Sequence, residues 1–406
     1  MKLLNQPYDG SLGELLKKEI ASDYTELNIF TAFAKNSGVL KLKDSLEEFK
    51  NKKRIINVFV GVDLYGTSKE ALLNLLDVTT NLIVVHSENN NTFHSKIYSL
   101  HSKNQYWCAV GSNNLTLGGL WNNFESSIII NGKDNSTYES VINLKKRYMD
   151  ESYGCSFKIN TKEDIEKLFV NGYLLSETEI FKQILGKNKS KNQNKEKMFG
   201  TEKASYSSKK NPQLEIGSEN SNVIKKVNDD KEIFWYEMKS STGGSRNILD
   251  LSKIGKLVEG STKNTIYEIP GNKDNCMGGI LFFDIKPEDI YVEKNIKINF
   301  KGNDYYPSTI LYPTGEKANG TWRIQLKGEN ERDSKDVLST YGRTDFINSI
   351  LIFEKINSDY YQLSVLSSDN LKLIKDSSTF WARNGSRASE KSKAFGLLHS
   401  FPPEVE

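Results

Sequence analysis

Histidine is scarce in this chain: His86, His94, His101 and His399 are the four among 406 residues. Imidazole chemistry therefore has few possible locations. His94 opens the word His94-Ser95-Lys96, and residues two apart in an extended segment project from the same face. An imidazole and an ammonium side by side suit attack on a phosphate. The lysine holds the anionic oxygens, and the histidine can form a covalent phospho-intermediate. Downstream, Gly111-Ser112-Asn113-Asn114 is a turn that offers backbone amides, a hydroxyl and a carboxamide donor to developing charge. Glu125 opens a later apolar segment and is placed to hold the second ring nitrogen of the histidine, fixing its tautomer.

The pair alone is a weak signal, because His101-Ser102-Lys103 has the same form. Spacing separates the two. Asn114 follows His94 by 20 residues and Glu125 follows Asn114 by 11; the same steps from His101 reach Trp121 and Gly132, which supply nothing. The ordered set His94, Lys96, Ser112, Asn114 and Glu125 is therefore the candidate catalytic constellation. No metal-ligand spacing accompanies it, and no cofactor is expected.

The elements that must position these residues alternate between helical and strand signals. Residues 11–21 show helical spacing of leucines, opened by a Ser11/Glu14 capping-box pattern. Strand signals at 27–34, 55–60 and 82–85 are separated by helices at 39–49 and 67–76. Three β-rich segments follow at 93–100, 106–110 and 124–130, then a helix at 136–149. This order predicts an α/β domain, a mixed sheet flanked by helices. Residues 186–230 are rich in Lys, Asn and Ser and read as a linker. Beyond 231 short runs such as 233–238, 279–284, 296–300, 308–311, 321–326, 347–353 and 360–365 predict a mostly-β barrel or sandwich.

The bulk numbers exclude more than they assign. A net charge of +3 is far from a histone-like excess, so contacts to nucleic acid must rest on local basic surfaces. No apolar run of about 18 residues is present, so no membrane helix is expected. The start turns polar at once, unlike a secretory signal. Three dispersed cysteines, Cys108, Cys155 and Cys276, suit neither a disulfide framework nor a zinc finger and fit a reducing cytoplasm.

The H-x-K, G-S-x-N and downstream Glu set resembles the phospholipase D superfamily, in its single-motif nuclease branch. Gly61-Val62-Asp63, Gly66-Thr67-Ser68-Lys69-Glu70-Ala71-Leu72, Phe93-His94-Ser95-Lys96-Ile97-Tyr98 and Gly111-Ser112-Asn113-Asn114-Leu115-Thr116 sharpen the likeness. Together they resemble the nuclease domain of a group of bacterial type II restriction endonucleases, over about residues 1–180. The resemblance implies that His94 forms a phosphohistidine with DNA, that Lys96, Ser112 and Asn114 bind the scissile phosphate, and that Glu125 orients the histidine. Lipase members have an Asp seven residues after the motif histidine; here His101 stands there, against lipase chemistry more than nuclease chemistry. One H-x-K set per chain implies a homodimer that builds the site across its twofold axis. The implied mechanism is metal-independent.

The second half carries Lys239-Ser240-Ser241-Thr242-Gly243-Gly244-Ser245-Arg246-Asn247 and Asn319-Gly320-Thr321-Trp322-Arg323-Ile324-Gln325-Leu326-Lys327. Arg reads guanine edges, Asn reads adenine edges, and hydroxyls suit phosphates. Domain order and these words resemble the B3-like pseudobarrel found beside such nuclease domains. The implied DNA-binding residues are Lys239, Ser245, Arg246, Asn247, Arg323, Lys327 and Arg343. The resulting expectation is a phospholipase D-like nuclease and dimerisation domain at 1–185, a linker at 186–230 and a B3-like DNA-recognition domain at 231–406. As a whole it reads as a site-specific deoxyribonuclease of a restriction-modification system acting on double-stranded DNA. A separate ATPase/helicase subunit is a partner that some systems of this kind use. The alternatives are a phospholipase D-type lipid hydrolase or phosphatidyltransferase, and a catalytically silent DNA-binding protein.

Overall fold

The computed structural model describes residues 1–89, 91–103, 105–132, 135–150, 152–191, 232–239, 248–253, 257–262, 265, 267, 280–286, 288–315, 321–384 and 392–399. In the first half the strands are β1 (Lys2–Gln6), β2 (Glu26–Thr31), β3 (Ile55–Gly61), β4 (Asn81–Val85), β5 (Lys96–His101), β6 (Tyr106–Gly111), β7 (Glu125–Asn131) and β8 (Ser156–Ile159). They alternate with α1 (Leu12–Ile20), α2 (Asn36–Asn51), α3 (Lys69–Val78), α4 (Asn135–Met149), α5 (Lys162–Val170) and α6 (Glu177–Lys191). The strands form one mixed sheet in the order β1-β7-β6-β5-β2-β3-β4-β8. Its parallel pairs are β2–β3 and β3–β4, and the remaining pairs are antiparallel.

Both faces of this sheet are covered at its centre, which is why β2 is buried along its whole length. Leu27 and Ile29 point with Val58, Val60, Leu82 and Val84 into a core shared with Leu16, Leu42, Leu46 and Leu75 of α1, α2 and α3. Phe30, Phe59, Ile83 and Val85 point the other way, onto Val141, Tyr138 and Tyr148 of α4. The α/β expectation is met in its coarse form. The polar start hides β1, and β8, α5 and α6 are also additions to the sequence reading. α6 continues to Lys191, so residues 186–191 are helical where a linker is expected; residues 192–231 lie outside the described residues.

Caps explain several helix starts. Ser68 Oγ accepts from Ala71 N at 3.2 Å and opens α3. Ser11 Oγ accepts from Glu14 N at 3.3 Å, but the predicted box is not reciprocal there. Glu14 instead accepts from Trp121 Nε1 at 2.8 Å, tying α1 to the segment after the G-S-N-N turn.

The second half is an eleven-stranded sheet: β9 (Glu232–Met238), β10 (Ile248–Lys253), β11 (Leu257–Gly260), β12 (Lys294–Phe300), β13 (Asn303–Leu311), β14 (Thr321–Gln325), β15 (Glu329–Asn330), β16 (Ser349–Asn357), β17 (Tyr360–Ser367), β18 (Phe380–Asn384) and β19 (Lys393–His399). Its order is β10-β14-β13-β12-β17-β16-β9-β19-β18-β11, with β15 beside β13. The end strands β10 and β11 do not pair with each other among the described residues, so the expected barrel does not close there. The run 279–284, expected as a strand, holds a 3₁₀ turn at Ile280–Phe283. Phe282 and Phe283 both bury against Phe234 and Tyr361, and an apolar run buried all round has no period to reveal its conformation. α6 and α7 (Leu371–Ser377) cover the outer face of this sheet through Phe181, Leu185 and Ile374. No helix among the described residues is long and apolar enough to cross a membrane.

The two sheets meet along α2. Leu40 packs with Ile356 and Tyr360, Asn36 Nδ2 donates to Asn299 Oδ1 at 3.0 Å, and Lys43 pairs with Asp304. Asp304 also accepts from Tyr360 Oη at 2.6 Å and Asn299 Nδ2 at 2.7 Å.

Candidate active site

Strand β5 begins at Lys96, not at residue 93, so His94 and Ser95 form its extended lead-in. The pair still converges. Lys96 Nζ lies 2.8 Å and 2.9 Å from the two ring nitrogens of His94 and 3.3 Å from its carbonyl oxygen. The ammonium thus sits against the imidazole, nearly equidistant from its two nitrogens. Lys96 is buried beside Thr31 of β2, whereas His94 is exposed and meets Phe33 edge-on at 5.8 Å. A buried cation thus backs an exposed imidazole.

The β5–β6 register pairs Ile97 with Val110, and one further step sets Lys96 opposite Gly111. That register brings the G-S-N-N turn beside the histidine pair. Gly111 is required by close approach: a Cβ there would sit 2.1 Å from Ser127 Oγ and 2.3 Å from Ser126 O. Ser112 is exposed, donates its hydroxyl to Glu125 Oε2, and accepts from Ser126 N at 3.1 Å. Glu125 heads β7 opposite Gln6 of β1, and Asn123 Nδ2 is 3.4 Å from its Oε1. The hydrogen bonds described here thus join Glu125 to Ser112 and join Lys96 to His94.

Asn114 is only 2 % exposed, and its Oδ1 accepts from Phe33 N at 3.3 Å. With the oxygen so used, the Nδ2 end is the donating end, which is the end an anion requires. Its neighbour Asn113 has a supporting place. Asn113 Nδ2 donates to Gly119 O at 2.7 Å, and its Oδ1 accepts from Ser127 Oγ at 2.5 Å. The rival histidine, His101, ends β5 at the opposite end from Lys96. It lies 3.6 Å from Glu26 and edge-on to Tyr138, and burial holds its imidazole below the usual range.

Two residues outside the predicted set brace this site. Asp63 Oδ2 accepts from Phe93 N at 3.0 Å, and its Oδ1 lies 2.8 Å from His86 Nδ1. The Gly61-Val62-Asp63 word was the available signal, without a role attached.

Beside Ser112 and Glu125 an open cleft is lined by Asn5, Gln6, Tyr8 and Phe124. On the adjoining sheet face, Leu3, Ile128 and Val110 stand in register across β1, β7 and β6. They are 55 %, 43 % and 39 % exposed, an apolar row that α4 leaves uncovered.

The DNA-contact candidates are dispersed. Lys239 follows β9, lies 4.0 Å from Glu237 and is partly exposed. Arg323 is half-buried on β14 between Asp250 and Leu311, while Lys327 and Arg343 are exposed in the segments that follow. Four strands separate β9 from β14 in the sheet order. Ser245, Arg246 and Asn247 lie outside the described residues.

No protein-family model and no curated protein matches the chain. Among solved structures it is similar to Nuc, a phospholipase D family member from Salmonella typhimurium, at 15 % identity and a TM-score of 0.31, over 39 % of this chain and 97 % of that one. It is similar to NucT from Helicobacter pylori at 14 % identity and a TM-score of 0.29, over 36 % and 92 %. It is also similar to phosphatidylserine synthase from Haemophilus influenzae Rd KW20 at 11 % identity and a TM-score of 0.33, over 47 % and 46 %.

Proposed function

We propose that the chain is a phosphodiesterase of the phospholipase D type, and more narrowly a site-specific, metal-independent endonuclease for double-stranded DNA. The observation that carries this reading is the buried Lys96 ammonium set against the exposed His94 ring. In the reaction, a ring nitrogen of His94 attacks phosphorus and an N–P bond forms as the bond to the leaving strand oxygen breaks. Lys96, Ser112 and the Asn114 carboxamide nitrogen stabilise the charge on the non-bridging oxygens. The leaving oxygen takes a proton from a second, protonated His94 in a homodimer. Water, giving its proton to the now neutral second His94, then attacks phosphorus, and the N–P bond breaks to free the phosphate end and the neutral imidazole. The apolar row Leu3–Ile128–Val110 beside the Ser112–Glu125 pair supports dimerisation near the site, since apolar rows of this kind favour burial.

The second half serves in this reading as the recognition module, B3-like in role, with Lys239, Ser245, Arg246, Asn247, Arg323, Lys327 and Arg343 toward DNA. Membership of a restriction-modification system follows from the same reading.

The test is direct. Purified protein is incubated with long mixed-sequence DNA in EDTA. Discrete fragments are expected; cleavage that appears only with Mg²⁺ refutes the mechanism, and unpatterned degradation refutes site specificity. His94→Ala should abolish cleavage and leave DNA binding intact. If His101→Ala does so instead, the histidine assignment is wrong.

A further inference from the structure

We infer that Asp63 is a positioning residue for His94: its carboxylate grips the Phe93 peptide and so sets the direction in which the next residue presents its imidazole. The inference rests on the phosphodiesterase reading for its catalytic consequence, though not for its geometry.

Three contacts fix Phe93, the residue before His94. The Phe93 ring is buried edge-on against Tyr148 of α4 at 5.4 Å, which sets the depth of the segment. The Phe93 carbonyl lies over Gly61, where a Cβ would come within 3.0 Å of it. The Phe93 N–H donates to Asp63 Oδ2 at 3.0 Å, which sets the rotation of the peptide about its axis. His94 lies outside β5, so no ladder bond of a named strand performs that task. A hydrogen bond from an amide to a carboxylate is among the stronger kinds, and it leaves the peptide one orientation.

Asp63 is itself held. Its second oxygen lies 2.8 Å from His86 Nδ1. The His86 backbone N–H donates to Cys155 O at 3.0 Å, and its ring meets Tyr173 edge-on at 5.3 Å. Glu88 accepts from Tyr173 Oη at 2.5 Å and lies 3.7 Å from His86 Nε2. The chain of contacts thus runs from Cys155 and Tyr173 through His86 and Asp63 to the Phe93 amide. It ends one residue from the nucleophile. A carboxylate committed by both oxygens to orientation is not available as a base.

Two variants and two readouts test this. Amide hydrogen exchange is measured on the peptide covering 91–98, and single-turnover cleavage and DNA affinity are measured in parallel. Asp63→Ala should raise exchange in that peptide at least tenfold while distant peptides keep their protection. It should lower the cleavage rate by about a hundredfold with affinity unchanged, as expected for a misdirected group. Asp63→Asn keeps an acceptor for the Phe93 amide and should restore most of both. Unchanged exchange in Asp63→Ala overturns the inference. So does a loss of cleavage that tracks a general fall in thermal stability and is not rescued by asparagine. If exchange responds as stated but the wild-type protein cleaves no DNA, the phosphodiesterase reading fails and the anchoring by Asp63 stands.

Discussion

Replacing Asp304 by alanine should cost about 3–5 kcal/mol of stability, and the structure shows why the figure is so high for one side chain. Asp304 and its partner Lys43 are 4 % and 8 % exposed, so the pair is shut away from water between α2 and the second sheet. Removing the carboxylate leaves the Lys43 ammonium with Asn74 Oδ1 at 3.4 Å as its remaining described acceptor. The same change takes the acceptor from Tyr360 Oη and from Asn299 Nδ2. Each orphaned neutral group costs about 1 kcal/mol alone, but one network does not sum simply, so the buried-charge figure sets the scale. Lys43→Met combined with Asp304→Asn removes both charges and keeps acceptors for Tyr360 and Asn299. That double variant should lose less than about 1.5 kcal/mol, below the cost of either single change, and the cycle through Lys43→Met and Asp304→Asn then shows coupling between the two sites. Urea unfolding followed by circular dichroism and by tryptophan fluorescence measures both. The pH dependence gives a second check. Burial works against the Asp304 charge, yet Lys43, Tyr360 and Asn299 together hold the carboxyl below the usual aspartate range. A depressed folded-state value means the stabilisation is present above the ordinary aspartate pKa of about 3.9 and lost as pH falls through the lower folded one. The gap between wild type and Asp304→Asn should therefore be flat from neutral pH down and shrink below about pH 4. A single-variant cost under about 1 kcal/mol, or a cycle that adds without coupling, would refute a buried ion pair at this seam.

Glu354 faces Ser37 and Glu177 across the same seam, and burial with the Glu177 charge pushes its carboxyl up to about 7. A raised value means stability is present below the ordinary glutamate pKa and lost as pH rises toward 7. Glu354→Gln should thus gain about 1–2 kcal/mol over wild type at pH 8 and nothing at pH 4, read from melting curves. Gly38→Ala should destabilise by about 2 kcal/mol and slow cleavage, because its Cβ would lie 2.6 Å from the Thr116 backbone just past Asn114. A neutral effect on both would show that α2 does not bear on that loop. Lys327→Ala and Arg343→Ala, both at exposed positions, should each lower DNA affinity and reduce the salt slope by about one if they meet phosphates, measured by titration at several salt concentrations.

The first half was legible because its strands are short apolar runs between helical spacings, with Ser68 marking the start of α3. The candidate pair was legible because proximity in sequence became proximity in space: Lys96 and His94 are neighbours on one extended segment. What escaped depends on partners distant in sequence. Lys43 reads as a solvent-facing position of an amphipathic helix until a second sheet covers it. Glu14 reads as half of a capping box until Trp121 offers a better donor. Asp63 sits in a loop 30 residues before the amide it holds. Ile280–Phe283 reads as a strand because a run buried on all sides has no periodicity. Local rules cannot rank such distant competitors.

Helix α2 touches both halves of the chain at once. Near its start, Lys35 N donates to Leu115 O at 3.1 Å and Gly38 rests on Thr116, so that end abuts the loop carrying Asn114. Farther along, Lys43 and Leu40 are fastened to Asp304, Ile356 and Tyr360 of the second sheet. Sixteen residues make a rod of about 24 Å. The contacts at Gly38 and Lys43 lie about 7.5 Å apart along it, so a tilt of about 8° about one moves the other by about 1 Å, a displacement large enough to spoil a phosphate-binding geometry. Hydrogen exchange at residues 112–116, followed as DNA is added to a His94→Ala protein, reads whether that motion occurs. On the proposed reading, the rod would turn docking of a duplex on the second sheet into a mechanical adjustment of the first.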